Sequence, residues 1–110
     1  MAGTEFRVIL CTVPDAATGA TIAEALVEER LAACVNRIDG IHSTYRWEGK
    51  LERAGESLLV IKTRAALVAD VIARVRALHP YTVPEIIALP VADGHPAYLA
   101  WLGAQTLEKG

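Results

Sequence analysis

Two stretches of this chain are apolar at consecutive positions rather than alternate ones. In Phe6–Val13, Val8 and Leu10 fall on one side of an extended backbone, while Ile9, Cys11 and Val13 fall on the other. Ser57–Thr63 repeats the pattern through Leu58, Leu59, Val60 and Ile61. A strand apolar on both faces must be covered on both. Between them, Asp15 is placed to cap a helix running to about Arg30, with Ile22, Ala25 and Leu26 on its core stripe and Glu24, Glu28 and Glu29 outside. Thr18 and Gly19 weaken its first turn. Cys34–Trp47 reads as one long extended segment bent at Asp39-Gly40. Beyond the bend, Ile41, Ser43, Tyr45 and Trp47 share one face, and His42, Thr44 and Arg46 the other. Glu48-Gly49 is a hairpin signal, from which Lys50–Glu56 leads back into the second doubly apolar strand. Val68, Val71, Ile72, Val75 and Leu78 give a second helix over about Arg64–Leu78.

The rest of the pattern turns on Leu78–Pro90. Pro80 drives His79 out of the helical region, and Pro84 does the same to Val83, so the connection runs extended. Ile86–Leu89 then forms a strand closed by Pro90. Pro96–Leu102 predicts a third short helix with Pro96 at its first position and Gly103 as its stop; Gln105–Gly110 reads as a polar tail. The predicted order is β-α-β-β-α-β plus a terminal helix, an α+β, ferredoxin-like sandwich. Both crossover helices lie on one face of such a sheet. The other face needs a cover, and the simplest cover is a second copy of the chain. A stiff connection on a rigid scaffold aims its polar groups, which singles out His79, Tyr81 and Glu85.

Composition narrows the function classes. The 110 residues make one domain, 53% hydrophobic yet only 5% aromatic, more apolar material than one small core needs. A net charge of −2 gives no reason to expect a nucleic-acid partner. No apolar run approaches a membrane span, and the segment Met1–Arg7 has no basic region followed by an apolar one, so the cytoplasm is the expected compartment. Two cysteines in that setting read as free thiols. No nucleophile elbow, phosphate loop, dinucleotide fingerprint or His-Glu-x-x-His motif is present, and the expectation is a protein that is not an enzyme.

A series of short motifs then resembles one family. Leu31-Ala32-Ala33-Cys34-Val35-Asn36, Ser43-Thr44-Tyr45-Arg46-Trp47-Glu48-Gly49-Lys50, Lys62-Thr63, His79-Pro80-Tyr81 with Pro84-Glu85, and Tyr98-Leu99-Ala100-Trp101-Leu102 together resemble the CutA divalent-cation tolerance family over about residues 7–102. The resemblance implies a ferredoxin-like homotrimer, similar in architecture to the PII signalling proteins, linked to tolerance of copper and other divalent cations. In the copper-binding bacterial pattern the ligands are a cysteine ending the first strand and two successive histidines before Pro-Tyr. Here the matching positions are Cys11, Leu78 and His79, so one histidine is replaced. The metal residues this implies are Cys11 and His79, with Glu85 as a further donor and no obligatory cofactor. Cys11 also reads as a small buried hydrophobe, and His79 as a hydrogen-bonded structural residue. Glu85 completes a metal shell or pairs with Arg46 or Lys62. Cys34 belongs in the core, and His42 and His95 face solvent. Tyr45, Trp47, Tyr81 and Trp101 line a cleft or a subunit contact. The second helix runs in the same sense as the first strand, which carries His79 to the end of the sheet where Cys11 lies. The competing function is a PII-like regulatory or scaffolding trimer that receives a small molecule or a protein in its intersubunit clefts.

Overall fold

The computed structural model describes residues 4–108; Met1–Gly3 of the N-terminal segment and Lys109–Gly110 of the expected tail lie outside the described residues. The elements are β1 (Phe6–Val13), α1 (Ala16–Glu28), β2 (Cys34–Trp47), β3 (Lys50–Arg64), α2 (Val68–Leu78), β4 (Ile86–Pro90) and α3 (Pro96–Gln105). The strands form one antiparallel sheet in the order β2-β3-β1-β4, as the ferredoxin-like reading requires. The β2–β3 register breaks between Ile38 and Ile41, at the expected bend, where Gly40 takes a φ of +74°. The hairpin tip has positive φ at both Glu48 and Gly49, the two-residue turn whose twist matches that of its strands.

Odd-numbered residues of β1 face the two crossover helices. Ile9, Cys11 and Val13 pack with Leu59 and Ile61 of β3 against Ile22 and Leu26 of α1 and Val71 and Val75 of α2. The Asp15 carboxylate accepts the Thr18 N–H at 2.8 Å and starts α1. Gly19 is no weak point there. It is buried, and a Cβ at this position would stand 3.0 Å from Arg37 Cδ and 3.2 Å from Val13 Cγ2, so the missing side chain lets α1 lie close to the sheet. α1 stops at Glu28, because Arg30 turns left-handed (φ 59°) and the Leu31 N–H closes back onto Leu26 O at 2.9 Å.

Two expected boundaries move. β3 continues through Arg64, and a single 3-10 turn at Ala65–Leu67 precedes α2, which therefore begins at Val68 rather than Arg64. Gly103 does not stop α3. It is buried inside the helix, where a Cβ would meet the Arg64 guanidinium at 3.1 Å and the Phe6 ring at 3.5 Å. The helix ends at Gln105, where two arginines take up its free carbonyls: Arg64 donates to Gly103 O at 2.6 Å, and Arg30 to Ala104 O at 2.8 Å. The residues that follow are not a loose tail, since Thr106 is buried and the Leu107 N–H donates to Arg30 O at 3.0 Å.

At one end of the sheet, α3 covers the second face. There it lays Leu102 and Leu99 on Phe6 and Ala33, a small second core. Farther along, the register aligns Leu10 with Val60 and Ile87, Val8 with Leu89, and Leu58 with Ile38. Among the described residues no element covers this strip. Ile38, Ile87 and Leu89 are 49%, 50% and 45% exposed.

Candidate functional site

The site lies where the end of α2, the extended connection after it and the end of β1 meet. His79 closes α2 with an extended backbone (φ −82°, ψ 135°), the conformation that Pro80 imposes. This aims its ring at β1. Nε2 stands 2.7 Å from the backbone oxygen of Thr12, and the Tyr81 N–H points at Nδ1 from 3.1 Å. A carbonyl only accepts and an amide N–H only donates, so Nε2 carries the proton and Nδ1 is bare. Both ring nitrogens are thereby occupied, and the residue is buried.

The network extends through the next aromatic. The Tyr81 ring lies 4.7 Å from that of His79, and its hydroxyl donates to Glu56 Oε2 at 3.0 Å. Glu56 is a carboxylate only 8% exposed. Burial, followed by the hydrogen bond to Glu56 and that residue's charge, pushes the Tyr81 phenol up to about 12. Cys11 is fully buried beside this network, with Sγ 3.7 Å from the same Thr12 oxygen that holds His79. Cys11 and His79 therefore do come together, at the sheet end that the topology implied. Burial, with the negative charges of Glu85 and Glu56 adding to it, pushes the Cys11 thiol up to about 12, so it stays protonated at neutral pH.

A cleft of about 830 Å³ opens beside this network, between the β2–β3 hairpin and the Pro80–Glu85 connection. It gathers Tyr45, Trp47, Tyr81, Glu56 and Glu85, and Thr12 also lines it. Trp101 is not among them; it sits on α3 against Tyr98, ring centres 5.5 Å apart. Glu85 pairs with neither suggested cation. Arg46 donates to Gly49 O, and Lys62 bonds to Asn36. Cys34 is half-buried rather than in the core, and shares its face with Lys62 and Val8, opposite to Cys11. His42 and His95 are exposed.

Glu56 is the site residue that sequence reasoning missed, because it reads as one more polar position of the returning hairpin. The signal was its parity. Glu56 stands two residues before Leu58 and four before Val60, a charge at the head of an otherwise apolar row.

As a metal centre the donor set does not fit. Leu78, at the first of the two histidine positions, packs on the helix-side core, His79 has no free lone pair, and the Cys11 thiol is protonated and buried. Among the described residues no group of three His, Cys, Asp or Glu is placed to hold an ion.

Comparison with known proteins places these features in one family. The model of the CutA1 divalent ion tolerance protein family matches residues 7–105. The divalent-cation tolerance protein CutA of Thermus thermophilus is 54% identical over 100 residues, covering 91% of this chain and 97% of that protein. Its solved structure superposes with a TM-score of 0.90 at 52% identity, over 92% of this chain and 98% of the other. The CutA1 structure from Oryza sativa gives a TM-score of 0.94 at 43% identity, over 99% and 100% of the two chains. The chloroplastic protein CutA of Arabidopsis thaliana is 48% identical over 90% of this chain, which spans only 54% of that longer protein.

Proposed function

The chain belongs to the CutA1 divalent ion tolerance family, and from that premise we propose that it acts in divalent-cation tolerance as a homotrimer. The observation that carries the assembly is the uncovered apolar strip on the second face of the sheet, where Ile38, Ile87 and Leu89 stand half exposed in line with Leu10, Leu58 and Val60. A strip of that kind is stabilised by burial against other copies of the chain. Light scattering on a size-exclusion column tests it. The expected mass at micromolar concentration is about three times the 11.8 kDa chain, and the mass of a single chain there refutes the reading. We propose the cytoplasm as its compartment, with which two free cysteines are compatible.

Copper or another divalent ion is then a transient ligand rather than a resident one. Any ion approaching Cys11 and His79 must displace Thr12 O or the Tyr81 N–H from the imidazole and a proton from the thiol. Calorimetric titration of the thiol-reduced protein with copper should show weak binding. One copper per chain retained through gel filtration, and lost in Cys11→Ser/His79→Ala, overturns that view.

A second reading is favoured by the cleft itself. A concave site between a long hairpin and a proline-stiffened connection, at one end of the assembling face, is suited to a regulatory small molecule at a subunit boundary, as in the PII-like alternative.

A further inference from the structure

The cleft has a one-sided chemistry. Three aromatic rings, those of Tyr45, Trp47 and Tyr81, share it with two carboxylates, Glu56 and Glu85, and among the described residues no lysine, arginine or histidine lines it. Tyr81 holds Glu56 by Oε2 alone, leaving Oε1 without a hydrogen bond among the described residues. Glu85 forms no ion pair among the described residues. Anionic ligands are disfavoured in such a site. A calcium or magnesium ion would find two carboxylates where it takes six or more oxygen ligands, and the rings would contribute nothing to its shell. We propose that the cleft is a binding site for a small organic cation, a quaternary ammonium or a protonated amine, received against Tyr45, Trp47 and Tyr81 and balanced by Glu56 and Glu85.

The physical basis is that a diffuse cation is attracted to the negative face of an aromatic ring, tryptophan most strongly, and loses little hydration on entering. The carboxylates supply the long-range attraction, and the rings select the apolar substituents on nitrogen. The part-buried Tyr81–Glu56 hydrogen bond fixes one ring and one charge before any ligand arrives, which reduces the ordering cost of binding. Cleft volume matches this class as well. About 830 Å³ admits an aryl-substituted ammonium with room for its counter-charges.

The proposal rests on the reading of the cleft as a small-molecule site, and three probes separate the two. Calorimetry on the full-length assembled protein would use phenyltrimethylammonium, neutral benzyl alcohol and benzoate. The ammonium is expected to bind at least about tenfold tighter than benzyl alcohol, with no binding of benzoate. Glu85→Gln, at an exposed residue, should weaken it about tenfold with no change in melting temperature. Glu56→Gln, which still accepts from Tyr81, should weaken it further in the double variant. The Trp47 indole N–H resonance should shift on titration and that of Trp101 should not. Undiminished ammonium binding in the double variant overturns the proposal. Benzyl alcohol or benzoate binding as tightly as the ammonium also overturns it but leaves the cleft reading standing. No binding by any probe overturns both.

Discussion

Replacing both Ile87 and Leu89 by threonine tests the assembly on β4. The two residues are 50% and 45% exposed on β4, on the side of the sheet opposite to α1 and α2. Threonine is β-branched, a shape that a strand favours, so the subunit's own fold should be little affected. Full burial of a leucine or isoleucine is worth about 1.5–3 kcal/mol. With half of each side chain already covered within the subunit, the part left for a partner is worth about 1 kcal/mol per residue. Two residues in each of three subunits then total about 6 kcal/mol per trimer, roughly four orders of magnitude in the association constant. The assay is light scattering through a dilution series from micromolar to nanomolar, with the melting curve of the dissociated chain as the control for folding. The variant should fall to single-chain mass at concentrations where the parent remains trimeric. Equal masses for variant and parent at every dilution would mean that β4 lies outside the interface, and the face-covering argument would fail.

Two further outcomes follow from the site network. Tyr81→Phe removes the one hydrogen bond seen to the buried Glu56 carboxylate, and should cost about 1.5–3 kcal/mol in urea unfolding; a cost below about 0.5 kcal/mol would mean that water replaces the phenol fully. Alkaline pH should destabilise the fold. Cys11 titrates at about 12 in the native state against 9.0 for the unperturbed thiol, and Tyr81 at about 12 against 10.0, so from pH 9 to 12 the unfolded chain has released protons that the native one retains. The stabilisation is complete below pH 9 and is lost as the pH rises through that window, and Cys11→Ala should flatten the slope; a flat profile in the parent protein would refute the assignment.

Periodicity determined the element types, because a strand covered on both faces and a helix with one apolar stripe leave different marks. Ile9 beside Leu10, and Leu59 beside Leu58, are enough by themselves to require a sheet with two covers. Chain direction alone carried His79 to the end of the sheet that holds Cys11. What the sequence could not decide was which groups the tertiary contacts would consume. His79 reads either as a metal ligand or as a hydrogen-bonded structural residue until Thr12 O and the Tyr81 N–H are seen to occupy both nitrogens, contacts spanning 67 residues in one case and two in the other. Glu56 reads as a solvated hairpin residue until Tyr81 folds over it, 25 positions away. Gly103 reads as a helix stop until Phe6 and Arg64 are found pressed against the place where its side chain would be. A local pattern records what each residue prefers for its own backbone and face. Whether a donor is spent or a glycine is needed for close approach depends on atoms that arrive from distant parts of the chain, and only the packed fold brings them together.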